Sequence, residues 1–367
     1  MRIKFNDLAA STHLHQTEIE TAIAKVLKSG SFILGEEVKK FENNFAKYLG
    51  SKFVVGVANG LEAIQIALIA LGIKKGDEVI TTPLSATATT LAIILVGAKP
   101  VFVDTDENGL IDLQKIEEAI NKQTKAIIPV HLYGQNAHIE KLAKICQKKK
   151  IFLVEDAAQA HGSTINGKKL GTFGQIGCFS FYPTKNLGAL GDAGAIVTNS
   201  QKLAKICQKV RNYGQSSKYN HQTAGLNSRL DEIQAAILNV KLKYLDKENA
   251  KRRKIAQRYI KNLIKLDSKI KIVTNNLKGS NFHLFVIRSK RRDKLQQCLA
   301  RRGIETLIHY PKIIPNQPFL AKSYKNQNFK NAQSLSGEVL SLPCHPQLKV
   351  KQVDFVCSQI SQFARRA

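Results

Sequence analysis

Apolar and polar residues recur along the chain with two different periods, and the change of period marks the predicted elements. In "GLEAIQIALIALGI" (60–73) the apolar residues are three and four positions apart, which is the spacing of an amphipathic helix. Short runs rich in Val, Ile and Phe, such as "DEVITTP" (77–83), indicate buried strands. Further helices are predicted at 88–98, 113–120 and 139–150, further strands at 99–106, 125–134, 151–160 and 194–200, and two helices within 16–49, separated by "SGSFILGEE".

This alternation of strands and helices predicts an α/β fold. Strands linked by helices form a mainly parallel sheet that helices cover on both faces. Ligands bind to such sheets beyond the carboxyl ends of the strands. Asp104 and Asp156 each end a predicted strand, so both are expected at the functional edge of the sheet.

A long helical stretch at 226–266 begins with "LNSRLDEIQAAIL", for which Asn227 or Ser228 is the expected N-cap, with Asp231 in the first turn. The pattern changes after this stretch. A smaller α/β unit follows, built from "HLFVIRS", "RDKLQQCLARRG" and a carboxy-terminal helix. We therefore expect a large domain at residues 1–245 and a small domain at residues 246–367, with the boundary uncertain by about ten residues.

The net charge is the unusual part of the composition. The 367 residues carry a formal charge of +28, which by itself suggests nucleic-acid binding. The lysines are spread along the chain on predicted amphipathic helices, however, and no nucleic-acid fold signature or tryptophan is present. Nucleic acid is therefore not expected as a partner, whereas a basic surface would also attract a small phosphorylated substrate.

The cysteines and apolar stretches indicate a protein of the cytoplasm. Six cysteines are scattered without a C-x-x-C pair or metal-ligand spacing, which favours reduced thiols and no metal site. The amino terminus "MRIKFNDLAAS" lacks the apolar core of a signal peptide, and the apolar run at 91–98 is too short to span a bilayer. No membrane association is expected.

One lysine lies in a surprising setting. "FSFYPTKNLGALGDAGA" (179–195) contains only two charged residues, Lys185 and Asp192. Poor solvation lowers the pKa of a lysine and favours the neutral amine that a nucleophile requires. The surrounding glycines would allow the backbone to approach a flat ligand. A lysine in such a loop could also bind a phosphate or have no function, and Asp192 is expected only to structure the loop.

Two other segments, and one more residue of the segment that contains Lys185, complete a possible cofactor site. "IFLVEDAAQAHG" ends in Glu155 and Asp156; one of these carboxylates could pair with the ring nitrogen of pyridoxal phosphate, and for Glu155 we prefer an ordinary pair with Arg or Lys. "VANGLEA" enters a helix whose first N–H groups could bind a phosphate. Ser180, five residues before Lys185, could bond to the same phosphate.

"VEDAAQAHG" (154–162), "GTFGQIGCFSFYPTKNLGALGDAGAIVTN" (171–199) and "RNYGQSSKYNHQTAGLNSRLDEIQAAIL" (211–238) resemble sugar-nucleotide aminotransferases of the DegT/StrS type. The resemblance extends from residue 29 to residue 320, which is nearly the whole chain. It implies the aspartate-aminotransferase fold, fold type I of pyridoxal 5'-phosphate enzymes. Such a protein has a large, mixed and mainly parallel sheet domain and a small carboxy-terminal α/β domain.

The resemblance also implies roles at the cofactor. Lys185 would bond covalently to pyridoxal phosphate and later move a proton between carbons. Asp156 would pair with the pyridine nitrogen, and Gln159 would approach the ring hydroxyl. Ser180 and the backbone of Gly60 and Leu61 would bind the phosphate.

Other roles implied by the resemblance concern the partner subunit and the substrate. Asn227 would reach the phosphate from the partner subunit, so the site would require a homodimer. Arg229, His309 and Tyr310 would face the substrate, whereas Asp231 and Glu232 are expected to be helix-start acids.

The resemblance implies glutamate as amino donor and a nucleotide-linked keto sugar as acceptor. "NGLEA" and "KNLGALGDAGA" are most similar to members that aminate dTDP-linked 3-keto-6-deoxyhexoses, which yield 3-amino-3,6-dideoxy sugars for O-antigens, S-layer glycans or macrolides. Ala86 stands where many relatives carry an aromatic that stacks on the cofactor, and small residues there occur in enzymes acting at C3. Related dehydratases have histidine in place of Lys185, so the lysine favours transamination. The alternatives are a 4-aminotransferase of UDP- or GDP-linked 4-keto sugars and a cofactor-binding regulator.

Overall fold

The computed structural model describes residues 2–266, 269–274 and 278–365. No helix within these ranges is both long and apolar enough to cross a membrane. The α-helices they contain are α1 Leu8–His13, α2 Gln16–Ser29, α3 Glu36–Leu49, α4 Gly60–Ala70, α5 Ala88–Leu95, α6 Leu113–Ala119, α7 Ile139–Lys149, α8 Gln201–Val210, α9 Glu232–Leu242, α10 Leu245–Leu263, α11 Arg292–Arg301, α12 Lys330–Glu338 and α13 Val350–Arg365.

The strands form one large sheet, a three-stranded sheet and two short hairpins. Their bounds are β1 Phe53–Val57, β2 Glu78–Thr81, β3 Lys99–Phe102, β4 Thr124–Ile128, β5 Phe152–Asp156, β6 Thr164–Ile165, β7 Lys168–Lys169, β8 Ile176–Ser180, β9 Gly194–Thr198, β10 Gln215–Ser217, β11 Asn220–His221, β12 Lys271–Ile272, β13 Phe285–Arg288 and β14 Val339–Leu342. The large sheet has the order β1-β9-β8-β5-β4-β2-β3. Only β9 runs antiparallel to its neighbours β1 and β8, whereas the other pairs are parallel. The predicted α/β fold with a mixed, mainly parallel sheet is therefore confirmed.

Helices cover both faces of the large sheet because its central strands are apolar on both sides. Successive residues such as Ile127 and Ile128 of β4 belong to different core clusters on opposite faces. Phe41 of α3 packs in the first cluster, and Ile66 of α4 packs in the second. This double cover leaves the carboxyl ends of the strands as the open edge where a ligand can bind.

The antiparallel sheet of β12, β13 and β14 has its own core. Tyr259 of α10, Phe285 of β13 and Ile360 of α13 are fully buried in it. Ile3 joins this core and forms a parallel bridge with Ile304. We propose that the chain divides near residue 245, where α9 gives way to α10, with the first residues of the chain packed on the second unit.

Several local predictions were wrong or incomplete. Helix α9 begins at Glu232 with Asp231 as its N-cap, whereas Asn227 and Ser228 precede it in extended backbone that bridges to residues 211–212. The expected single long helix is two helices, because the helical hydrogen bonding is interrupted at Lys243 and Tyr244. The pattern analysis missed β1, β8 and α8.

Candidate active site

The candidate site lies where β5 and β8 end and α4 begins. Asp156 is the last residue of β5 and Ser180 the last of β8, and these two strands are adjacent and parallel. Residues 181–193, which we call the lysine loop, leave β8 and return into β9. The parallel pairing therefore places the lysine loop beside Asp156, as the sequence predicts for a functional edge.

Asp156 is held by two hydrogen-bond donors. Its side chain is buried, with the residue 6% exposed. The Thr89 hydroxyl donates to Oδ2 at 2.5 Å, and the Ala158 amide donates to Oδ1 at 3.1 Å. A carboxylate fixed in this way, at the base of an open edge, suits a protonated ring nitrogen as its ligand.

Gln159 connects this edge to the second unit. The backbone N–H of Tyr133 donates to its Oε1 at 2.6 Å, and its Nε2 donates to the Tyr310 hydroxyl at 3.2 Å. The Tyr133 hydroxyl in turn donates to the carbonyl of His309 at 2.5 Å. Burial raises the pKa of Tyr310 to about 12, and the charge of Asp156 adds to this, so the hydroxyl stays protonated. The structure therefore brings Asp156, Gln159, His309 and Tyr310 together.

Lys185 is half-buried, and its amine lies in a poorly solvated position. Burial lowers the pKa of its ammonium from the usual 10.5 to about 8, although the charge of Asp156 raises it. Burial and then the charge of Lys185 lower the pKa of His161 to about 3 and that of His309 to about 4. Both imidazoles are therefore neutral beside Lys185. A lysine in this state has a free amine near neutral pH, which covalent chemistry requires.

The start of α4 is a candidate anion-binding site, which we call the cradle. Asn59 caps the helix by accepting from the Glu62 amide at 2.9 Å, and among the described residues no hydrogen bond engages the N–H groups of Gly60 and Leu61. A Cβ on Gly60 would lie 2.6 Å from Cβ of Ser180, and a Cβ on Gly194 would lie 2.4 Å from the Asn59 carbonyl oxygen. The cradle is thus built from Gly60, Leu61 and Ser180, and a side chain at position 60 would fill it.

Asn227 and Arg229 are not part of this cluster. Arg229 donates to Oδ1 of Asn212 at 3.1 Å and lies over the ring of Tyr213, 5.3 Å from its centre. Asn227 is exposed and bridges to Asn212 through the backbone. Within the described ranges, neither side chain forms a hydrogen bond or ion pair with the residues around Lys185.

Three acids singled out in the sequence have structural roles. Glu155 is fully buried and binds His131 at 3.0 Å and the backbone amides of residues 171, 173 and 174, so the expected Arg or Lys partner was wrong. Asp104 binds Lys115 and the first amides of α12, and so does not contribute to the site. Glu232 accepts the amides at the start of α3, which caps a helix other than its own.

Sequence reasoning missed Thr89 and Tyr133. Thr89 lies in "LSATATT", three residues after Ala86, and only the tertiary structure brings it to Asp156. Tyr133 has a φ of +62° and no exposed surface, which is a rare backbone state for a large side chain. Ala86 itself is half-buried and presents no ring.

The fold, with Lys185, Asp156 and the start of α4 at one edge of the sheet, is that of a pyridoxal-phosphate-dependent aminotransferase of fold type I. The model of the DegT/DnrJ/EryC1/StrS aminotransferase family matches residues 14–361, and the chain belongs to this family. Pyridoxal phosphate is the cofactor of these enzymes. The cradle at Gly60 and the Asp156 carboxylate, which Thr89 and Ala158 hold in place, fit this cofactor. The expected family and cofactor are therefore confirmed.

Known proteins resemble the chain over its whole length. The dTDP-3-amino-3,6-dideoxy-alpha-D-galactopyranose transaminase of Aneurinibacillus thermoaerophilus is 44% identical over 362 residues, 98% of this chain and 99% of that protein. The crystal structure of S. venezuelae DesV has a TM-score of 0.97 and 41% identity, and covers 100% of this chain and 99% of that chain. The structure of ntda from Bacillus subtilis, which has PMP bound, has a TM-score of 0.93 and 32% identity. The match covers 99% of this chain and 85% of that chain.

Proposed function

We propose that the protein transfers the amino group of glutamate to the 3-keto carbon of a dTDP-linked 6-deoxyhexose. The juxtaposition of Lys185 and Asp156 at the open edge of the sheet carries the transaminase part of this proposal. The choice of sugar rests on full-length similarity to a transaminase named for a dTDP-3-amino sugar. Ala86, a small residue at the stacking position, supports action at C3.

Lys185 and Asp156 divide the chemistry. When bound, the cofactor supplies an electron sink and carries the amino group between the two substrates. The neutral amine of Lys185 moves a proton at Nζ beside the reacting carbon, because its pKa of about 8 leaves part of it unprotonated at neutral pH. Asp156 would keep the ring nitrogen of the cofactor charged, and Gln159 would lie on the side of the ring hydroxyl.

The phosphate of the cofactor would bind at the α4 cradle. The free N–H groups of Gly60 and Leu61 and the Ser180 hydroxyl are its proposed donors. Donors at this position would direct the rest of the cofactor toward Asp156 and Lys185. Tyr310 stays protonated and can donate to a sugar oxygen, and His309 and Arg229 are proposed to complete the substrate side.

We infer a homodimer with shared sites from the exposed residues of one face. Tyr182 and Leu190 of the lysine loop are 51% and 44% exposed, and Phe32 and Ile33 are 47% and 45% exposed. Ile33 bridges to Asp231, close in sequence to the exposed Asn227. An apolar face that adjoins the site supports burial by a second copy, whose Asn227 would then reach the phosphate.

A panel of substrates tests this function. The purified protein, which we expect to be yellow and to occur in the cytoplasm, is incubated with glutamate and dTDP-, UDP- or GDP-linked 3-keto or 4-keto sugars, and 2-oxoglutarate and amino sugar are measured. The proposal expects turnover with the dTDP-linked 3-keto sugar and none in Lys185→Ala. Turnover only with UDP- or GDP-linked 4-keto sugars would establish the 4-aminotransferase alternative. DNA binding with a steep salt dependence and no turnover would instead establish the regulator.

A further inference from the structure

Behind the lysine loop lies a buried network of polar side chains that the proposed chemistry does not use. It links Asn186 of the loop itself, the residue after Lys185, with Asn249 of α10 and with Asn281 and His283, which precede β13. Their exposures are 8%, 1%, 0% and 8%. Buried amides and imidazoles are costly unless their polar atoms are paired, so the pairing of each atom constrains the others.

Each of these side chains has a defined partner. Nδ2 of Asn186 donates to Oδ1 of Asn249 at 2.8 Å and to the carbonyl of Asn281 at 3.1 Å. Nδ2 of Asn249 donates to the carbonyl of His161 at 2.9 Å. Oδ1 of Asn186 lies 3.0 Å from Nδ1 of His283.

The backbone carbonyl of His161 fixes the direction of the whole chain of hydrogen bonds. Because a carbonyl can only accept, Asn249 must present Nδ2 to it and Oδ1 to Asn186. Asn186 must then present Nδ2 to Asn249, which leaves its Oδ1 as an acceptor for His283. His283 therefore donates from Nδ1. Its tautomer is set by the His161 carbonyl, to which it is connected through three successive hydrogen bonds.

Asn281 extends the same network to the cofactor edge. Its Nδ2 donates to the carbonyl of Gln159 at 3.0 Å, and its Oδ1 accepts the amide of His283 at 2.9 Å. The network thus connects the residue after Lys185 with the backbone of Gln159 and with the second unit. Burial first, and then the charges of Lys185 and Arg252 and the neighbouring His161 and His309, lower the pKa of His283 well below its usual value, so the imidazole stays neutral.

We propose that His283 is the positioning residue of Lys185. Its Nδ1–H fixes Oδ1 of Asn186, whose Nδ2 is bonded to Asn249 and Asn281, and Asn186 holds the lysine loop so that the half-buried Lys185 keeps its amine in a poorly solvated place beside Asp156. The backbone bonds of the loop near Lys185, such as Lys185 N–H to the Tyr182 carbonyl at 2.8 Å, lie within the loop itself and do not anchor it to the second unit. The inference rests on the proposed function for the catalytic role of Lys185, but its test does not depend on that function.

Three variants separate the hydrogen bond from simple packing. In His283→Asn, the amide nitrogen lies near the place of Nδ1 and can still donate to Asn186. In His283→Gln, the amide reaches the place of Nε2, and this donor is lost. Asn186→Ser removes this bond together with the two bonds that Nδ2 of Asn186 donates to Asn249 and to the Asn281 carbonyl, and so tests Asn186 as the link to the loop.

The readout is the pKa of Lys185 in cofactor-free protein, measured by competitive acetylation across pH and mass spectrometry of the Lys185 peptide. We expect His283→Asn to match the wild type, and His283→Gln and Asn186→Ser to have at least tenfold less reactive amine at pH 7, because a loosened lysine becomes solvated. Thermal melting confirms folding, and if His283→Gln does not fold, Asn186→Ser decides the result.

An unchanged Lys185 pKa in folded His283→Gln or Asn186→Ser would overturn the proposal. A lowered amine fraction in His283→Asn as well would also overturn it, because packing rather than the Nδ1 donor would then be responsible. No cofactor or sugar takes part in this measurement. Failure of the substrate panel would therefore leave its result standing, and an active enzyme with an insensitive Lys185 would refute only the positioning role.

Discussion

Thr89 and Asp156 are 67 residues apart in the chain, and their side chains are joined by a hydrogen bond of 2.5 Å. The bond ties the first turn of α5 to the carboxyl end of β5, and both side chains are buried. With the Ala158 amide on the other oxygen, it leaves the carboxylate little freedom to rotate. Asp156 is thus oriented by its own surroundings before any ligand binds.

We expect Thr89→Val to lower turnover by about 10- to 100-fold, because a hydrogen bond to a charged group contributes about 1.5–3 kcal/mol. The volume of the side chain is nearly unchanged, so the loss concerns the hydroxyl. Thr89→Ser, which retains the hydroxyl, should stay within about threefold of the wild type. Equal turnover of the Val and Ser variants in steady-state kinetics would exclude this role of Thr89.

Replacement of the carboxylate by an amide should lower stability at Glu155 and turnover at Asp156. Glu155→Gln replaces an acceptor oxygen with an NH2 group that faces backbone N–H donors, so we expect a loss of about 2–5 kcal/mol in the free energy of unfolding. Asp156→Asn should fold with nearly normal stability and lose turnover. Urea unfolding and initial rates on both variants test this pair. A stable Glu155→Gln protein would contradict the structural role.

Gly60→Ala should weaken cofactor binding by at least about tenfold, since the added methyl group would lie 2.6 Å from Cβ of Ser180 and enter the cradle. Gly337→Ala is the matched control, because it lies in α12 and a Cβ there would meet no atom within 4 Å. Fluorescence titration of cofactor-free protein with pyridoxal phosphate measures both. Equal affinities for the two variants would place the phosphate elsewhere.

The lowered pKa of Lys185 predicts a pH dependence of stability in cofactor-free protein. The folded pKa of about 8 lies below the usual 10.5, so between these values the unfolded state binds more protons. Stability should therefore rise with pH from about 8 to 10.5, by about 3 kcal/mol at most. Lys185→Met lacks this contribution. The difference in the free energy of unfolding between the wild type and Lys185→Met, measured with urea, should grow with pH over this window. A constant difference would contradict the lowered pKa of Lys185.

The sequence was sufficient for the fold class because the two periods of its apolar residues are local properties. The helices around 60–70 and 139–149 and the strands that end at Thr81 and Asp156 follow from them directly. Strands β1 and β8 were missed because "FVVGV" and "IGCFS" are short and contain glycine. The false N-cap at Asn227 arose because pairing of the preceding segment with residues 211–212 keeps the backbone extended up to Asp231.

The site was predictable only where a single residue type indicates its chemistry. Lys185 was proposed because it is isolated among apolar residues and glycines, Asp156 because it ends an apolar strand, and Ser180 because it lies five residues before Lys185. Thr89 and Asn281 are ordinary residues in ordinary segments, and their importance comes from partners 67 and 122 positions away. Separations of this kind depend on how the sheet and the second unit pack, which local periodicity does not encode.

Reduction of the cofactor-loaded protein with borohydride, followed by peptide mass spectrometry, tests the central claim most directly. The account predicts one reduced cofactor per chain, attached at Nζ of Lys185, and none in Lys185→Arg. A label on any other lysine, or no covalent label in a protein that binds the cofactor, would contradict the assignment of this loop as the active site.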